Sequence, residues 1–460
     1  MAQNKDTQKC RPALAVDVVE AGAMARRGRL SCELGTNITF NLIDLESYFF
    51  AEWNATGYDA LLVAAAVEFA DKTLRRSTMN WQREFALRIP VHDPAQWNDK
   101  IVCEALNDAL AFLTGDLWEI SFYQRRRAPE RPRQGHFTLQ QGTTAVIPFS
   151  DGLDSRCVAG LMTREMGEKL VRIRLGTKDY DGHVPGKRPF VSIPYDVKAG
   201  PRKFVESTAR SRGFKFALIS GLAAFLSKAS QIVVPESGQG ALGPSLVVVG
   251  QAYEDYRSHP MFTGRMEKFL LALLRHRVRF QFPRLWHTKA ETLRKFVDEC
   301  DDGASWAETW SCWQQNRHSS VDHKRRHCGV CAACMLRRLS VHAAGLTERQ
   351  ETYVWENLGA LSFAEGAAAS FPEKRKAGTM RQYAIAGALH LDHLASLRTS
   401  PASANILGRN AFQLGRALGL AEADARSKLD RLLMQHEQEW KNFVDSLGRF
   451  AFLARWAVAA

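Results

Sequence analysis

The sequence predicts an α/β protein: a doubly wound parallel sheet bearing a zinc knuckle, preceded by an α+β domain and followed by a helical region. Three observations carry this expectation. Strand-like apolar runs alternate with amphipathic segments over residues 141–345, the pattern of a parallel sheet with crossover helices. One apolar run stops at the small, polar turn Ser150-Asp-Gly-Leu-Asp-Ser155 and resumes as a helix. Four cysteines, Cys312, Cys328, Cys331 and Cys334, follow at C-x15-C-x2-C-x2-C spacing. A chain of 460 residues with 45% hydrophobic content allows about two or three packed domains, divided here as 1–140, 141–345 and 346–460.

In the first domain, residues 36–42, 85–91 and 118–123 alternate as strands do, while 60–69 and 100–114 have helical spacing. No metal-ligand spacing, nucleophile constellation or phosphate loop occurs there, so docking or shaping a site elsewhere is its expected role. The stretch QRRRAPERPRQGH, with Arg125–Arg127, Pro129, Arg131, Pro132 and Arg133, reads as a solvated linker closing the domain.

The central domain opens with residues 145–149, apolar as a buried parallel strand is. Residues 154–165 then place Val158, Leu161 and Met162 on one helical face. The turn between them lies at a strand's carboxyl end and a helix's amino end, where unpaired N–H groups and the helix dipole favour an anion. Ser150 and Ser155 add hydroxyl donors, and Gly152 permits close backbone approach. No Lys follows the glycine, so this is not the Walker loop. Further strands are expected at 171–175, 190–193, 232–234, 246–249 and 278–282, with helices at 216–228, 265–275 and 290–299. Gly238-Gln-Gly240-Ala-Leu-Gly243 spells the dinucleotide fingerprint. Pro244 and the apolar run behind it favour an extended segment where that motif requires a helix.

The four cysteines suit a closed tetrahedral zinc site, because short C-x2-C turns present thiolates to one ion. An iron–sulfur cluster also takes four thiolates. The remaining cysteines, Cys10, Cys32, Cys103, Cys157 and Cys300, show no framework spacing, as expected of reduced thiols in a cytoplasmic protein. After residue 350 the chain is helix-rich, at 381–397, 405–420, 422–443 and 443–458. The start, MAQNKDTQKC, lacks an apolar run, and Lys441, Asp445, Arg449 and Arg455 interrupt the last one; no membrane span is expected. A net charge of +13 is partly local, in Arg125–Arg133 and in His323-Lys-Arg-Arg-His327 beside the cysteines. With no recognised nucleic-acid-binding motif, a nucleic-acid partner is possible but not favoured.

The turn Ser150–Ser155 resembles the Ser-Gly-Gly-x-Asp-Ser loop of the PP-loop ATP pyrophosphatases, departing from it only in Asp151, where that family has glycine. The cysteine region, T-W-S-C followed by C-G-V-C-A-A-C-M-L-R, and the stretch Phe282–Glu291 with Lys289-Ala-Glu, resemble the QueC family of 7-cyano-7-deazaguanine synthases, over roughly residues 140–345. The resemblance implies a PP-loop, HUP-like fold and ATP-dependent, AMP- and pyrophosphate-forming C–N ligase chemistry. It implies ATP bound at Ser150, Asp151, Gly152, Leu153, Asp154 and Ser155, with Mg2+ on the phosphates and structural Zn2+ on the four cysteines. Asp154 and Lys289 become catalytic candidates. Glu236 and Arg337 become candidates for holding a 7-carboxy-7-deazaguanine-like small molecule. The long flanks resemble a subgroup of QueC-like proteins in bacterial anti-phage operons, including the Qat systems, which implies an operon-encoded protein partner and leaves the amine acceptor open between ammonia and a protein's amino terminus. Nitrile synthesis for nucleoside modification, tRNA modification, and a non-catalytic scaffold silenced by Asp151 stand as alternatives.

Overall fold

A computed structural model describes residues 13–41, 45, 55–77, 81–127, 142–175, 190, 192–201, 203–248, 253–314, 319–376 and 378–457. Its strands are β1 (Ala13–Val19), β2 (Leu30–Glu33), β3 (Ile38–Phe40), β4 (Glu84–Val91), β5 (Leu117–Gln124), β6 (Ala145–Phe149), β7 (Leu170–Arg174), β8 (Tyr195–Val197), β9 (Gln231–Val233), β10 (Arg279–Gln281) and the short hairpin β11 (Ser320–Val321) and β12 (Lys324–Arg325). The chain divides into two compact units. One comprises residues 1–146, 180–232 and 262–279; the other comprises 147–179, 233–261 and 280–460.

In the first unit, β2-β1-β4-β5 form one sheet in that order, and every neighbouring pair is parallel. The expected α+β pattern is therefore corrected to parallel α/β. Helices Ala55–Thr73 and Lys100–Thr114 lie between sequence-adjacent strands, and a parallel pair needs such crossovers. β1, whose apolar run is interrupted by the buried Asp17, was not visible as a strand. Within the described part of the expected strand at 36–42, Ile38–Phe40 forms and pairs antiparallel with β8; residue 42 lies outside the described residues. Cys10 and the Pro129–Arg133 part of the basic stretch lie outside the described residues.

This unit is pinned by buried charge. Arg76 donates to both oxygens of Asp116 at 2.8 Å. Arg83, wholly buried, reaches Asp116 Oδ2 at 2.8 Å and Asp71 Oδ1 at 2.5 Å. Asp71 Oδ2 also accepts the Ser211 amide at 2.9 Å. Each charge is matched by an opposite charge, which is what makes such burial tolerable.

The second sheet has the order β10-β9-β6-β7, with β6 parallel to β9. β6 thus has its sequence successor on one side and a strand reached by a long crossover on the other. The crevice beyond its carboxyl end is the usual ligand position in such a sheet. Helix Leu153–Met166 begins there, capped by Gly152. The expected strand at 246–249 does not form; Gly238–Ala241 and Gly243–Leu246 are helical turns instead. Pro244 sits in the first turn of the latter, where its missing N–H costs nothing, and the Ser245 hydroxyl donates to Leu242 O at 2.8 Å. Val249 lies outside the described residues, as does residue 191 of the expected strand at 190–193.

Helices Thr379–Ser396, Ala404–Leu418, Glu422–Leu447 and Phe452–Ala457 close the second unit. Trp440, Phe443 and Phe452 share one apolar core with Cys312, Cys328, Cys331, Cys334 and Trp355, so the helical tail packs directly on the cysteine knuckle. Among the described residues no helix is long and apolar enough to cross a membrane.

The charge cluster of the first unit is the point at which to test its stability. Asp116→Ala strands Arg76 and Arg83 without their main counter-ion and should cost roughly 3–5 kcal/mol, read as a lower denaturation midpoint; an unchanged midpoint would contradict the account.

Candidate functional site

The turn after β6 is held open by its own side chains. The Ser150 amide donates to Ser155 Oγ at 2.8 Å, and the Ser155 hydroxyl donates to Pro148 O at 3.4 Å. The Asp151 carbonyl accepts the Trp310 amide at 2.7 Å. These bonds leave the first-turn amides of helix Leu153–Met166 facing out of its amino terminus, where they have no intrahelical acceptor. The dipole adds partial positive charge there.

Asp154, in that first turn, meets Lys289 at the start of helix Lys289–Glu299. Asp154 Oδ2 and Lys289 Nζ are 2.5 Å apart, and both residues are buried. Asp154 Oδ1 accepts the Ser237 amide at 3.3 Å, so residues from three separate stretches converge on one carboxylate. The two helices can approach because Gly160 has no side chain: a Cβ there would lie 2.2 Å from the Phe296 ring. Glu236 is at the end of the β9 connection, and its carboxylate lies over Gly240. Burial, then the nearby Asp154 charge, pushes Glu236 up to about 8, against the opposing pull of Lys289 and Arg257. At neutral pH Glu236 is therefore largely protonated and can donate as well as accept. Arg257, which the sequence did not single out, donates from both Nε and Nη2 to Asp255 Oδ2.

Asp151, the departure from the resembling loop, does not stand as a free charge. Its Oδ1 lies 3.7 Å from Arg174 Nη2. Arg174 ends β7, which lies beside β6, and the Leu175 amide donates to Phe149 O at 2.7 Å. The ladder thus carries the guanidinium to the turn. Among the described residues neither of these two atoms has a hydrogen-bond partner, though both are buried.

Cys312, Cys328, Cys331 and Cys334 come together, with all four sulfurs within 4.8 Å of one another. A tetrahedron with Zn–S bonds of about 2.3 Å has edges of about 3.8 Å, and Cys328 Sγ lies 3.8 Å from Cys334 Sγ. Amides of Cys328 and Gln314 donate to Cys312 Sγ at 3.2 and 3.3 Å, and that of Cys331 to Cys328 Sγ at 3.3 Å. Such N–H···S bonds favour thiolate over thiol. Donor set, spacing and burial fit one ion with a closed shell.

Arg337 is engaged elsewhere than at the turn. Its guanidinium is wholly buried, donating to Glu348 Oε1 at 2.7 and 2.9 Å, to Thr309 Oγ1 at 2.6 Å and to Trp306 O at 3.3 Å. These contacts tie the helix after the cysteines to Thr309, one residue before the Trp310 that holds Asp151. Of the residues singled out in sequence, Ser150–Ser155, Glu236 and Lys289 gather at one place and the cysteines at another, with Arg337 beside the latter.

Residues 239–345 match the family model of queuosine biosynthesis protein QueC. That span holds Lys289, the four cysteines and Arg337; the turn Ser150–Ser155 and Glu236 precede it. No curated protein and no solved structure matches the chain.

The knuckle should carry about one zinc ion per chain, measured by elemental analysis. Cys331→Ser should release it and lower the melting temperature, as should a strong chelator. Full-length protein that is metal-free yet equally stable would contradict the site.

Proposed function

We propose that this chain is an ATP-dependent enzyme that adenylates the carboxylate of a 7-deazaguanine-like molecule and passes the acyl group to an amine. The observation that carries the reading is the buried Asp154–Lys289 pair at the mouth of the helix-capped turn, with Lys289 inside the QueC-matched span. In this reading the pyrophosphate of ATP lies on the first-turn amides and the Ser150 hydroxyl, while the Ser155 hydroxyl braces the turn. Lys289 balances charge as the phosphates separate. Asp154, paired with Lys289, is the carboxylate that would help hold Mg2+ on the phosphates.

The chemistry is two displacements. A carboxylate oxygen attacks the α-phosphorus, and the bond to the bridging oxygen breaks to release pyrophosphate. An amine nitrogen then attacks the activated carbonyl carbon, AMP leaves with the oxygen, and the amine loses a proton. Glu236, held near neutrality in its titration, suits hydrogen bonding to the ring and amino groups of the deazaguanine. We assign the amine to a protein partner, by likeness to the QueC-like components of anti-phage operons; ammonia as the amine would lead toward a nitrile.

Asp151 is compatible with turnover in this reading, because Arg174 balances its charge before any phosphate arrives. A silenced scaffold would need no such partner.

The test is carboxylate-dependent exchange of labelled pyrophosphate into ATP. Wild type should exchange, Asp154→Ala should lose about 100-fold or more, and Asp151→Gly should retain exchange. Zinc-loaded wild type that binds neither ATP nor the deazaguanine carboxylate by calorimetry would overturn the proposal.

A further inference from the structure

The helix Glu422–Leu447 makes a run of polar contacts with the start of helix Lys289–Glu299, although it lies well beyond the QueC-matched span. Thr288 caps the latter helix, its hydroxyl accepting the Glu291 amide while Glu291 Oε2 accepts the Thr288 amide at 2.8 Å. The Thr288 hydroxyl donates onward to Glu439 Oε1 at 2.7 Å. Arg431 clasps the capping carboxylate of Glu291 and donates to Trp286 O at 2.8 Å. A third link runs through the glycine-rich segment: the Lys289 amide donates to Gln239 Oε1 at 2.7 Å, and Gln239 Nε2 meets His436 Nδ1 at 2.8 Å. His436 Nε2 ends the relay on Leu391 O at 2.9 Å.

The contacts are selective in place. Three side chains of one helix, at positions 431, 436 and 439, all act on the cap, first residue or third residue of another. That turn bears Lys289, whose Nζ lies 2.5 Å from Asp154. Gly238 fits the same purpose: a Cβ there would lie 2.3 Å from Leu285 O and 2.5 Å from a Leu432 methyl, so its bareness lets the C-terminal helix approach.

We propose that the helix Glu422–Leu447 is a built-in positioning element of the nucleotide site, in which Arg431, His436 and Glu439 fix the first turn of the Lys289 helix and so hold Lys289 on Asp154. Its catalytic consequence rests on the adenylation reading; its structural content does not. Arg431, His436 and Glu439 are positioning residues, acting through Lys289 and touching no substrate. The site is then incomplete without residues 422–447, and cutting the chain after the cysteine knuckle removes the support of its own lysine.

Hydrogen–deuterium exchange on full-length, zinc-loaded protein tests this without reference to activity. Glu439→Leu and Arg431→Ala should each raise exchange of the amides at 289–291 by about tenfold. Glu439→Gln, which keeps an acceptor for Thr288, should not. Exchange over 332–343 and the zinc content should stay at the wild-type level. If Glu439→Leu fails to fold, the exposed Arg431→Ala carries the test alone. Unchanged exchange at 289–291, or an increase spread evenly into 332–343, overturns the proposal. In the pyrophosphate assay, the same substitutions should lower kcat about tenfold with little change in KM, and should add nothing in a Lys289→Ala background; equal losses in both backgrounds would overturn the route through Lys289. A wild type inactive in exchange would sink the adenylation reading while leaving the deuterium result standing.

Discussion

The ion pair between Asp154 and Lys289 is the constraint on which the second unit is organised. Two opposite charges buried together are favourable only when distance and remaining hydrogen bonds are right, and here each side is fixed from behind. Asp154 is set by the helix that opens on Gly152 and by the Ser237 amide. Lys289 is set by a capping box and by Gln239. Either helix displaced by an ångström would leave one charge uncompensated in a poorly solvated place. The close seating of Phe296 over Gly160 supplies the stiffness that such a pair requires.

The same logic explains the position of the cysteine knuckle. It lies in the core that the C-terminal helices share, and it fixes the helix Ala332–Ala343, from which Arg337 reaches back to Trp306 and Thr309. The next residue, Trp310, donates its amide to Asp151. Cysteine cluster, buried arginine and the turn Ser150–Ser155 are thus joined by a short mechanical path. A structural metal held by the four cysteines would stiffen that path.

What was legible in the sequence follows from range. The turn after β6 and the cysteines are local patterns, with the flanking strand and helix or the clustered residues close in the chain, so the strand–turn–helix at Ser150–Ser155 and the gathering of Cys312–Cys334 could be read directly. The expectation for 246–249 fails over its described residues because Pro244, which suits extended backbone, equally suits the first turn of a helix, the place it takes here. Strand β1 was missed because Asp17 breaks its apolar run, and its salt bridge to Arg29 at 2.6 Å appears only after folding. Arg337 was read from its spacing past Cys334, which says which way a helix faces but not that Glu348 awaits it. The contacts on Lys289 had no local signature: Thr288 and Glu439 are 151 residues apart, Gln239 and His436 197.

The glycine-rich segment shows how a local pattern can be right in form and different in physical cause. Gly238-Gln-Gly-Ala-Leu-Gly243 has the spacing that cradles a dinucleotide, and a helical turn does begin on it. That turn is four residues long, too short to develop much dipole. Its amino end is already approached by Leu285 O and the Leu432 side chain. The middle residue, Gln239, spends its amide on Lys289 and His436. Glycines permit close approach of whatever packs against the backbone, whether a pyrophosphate or another helix. Here the object approaching is protein, and the beneficiary is the lysine fifty residues downstream.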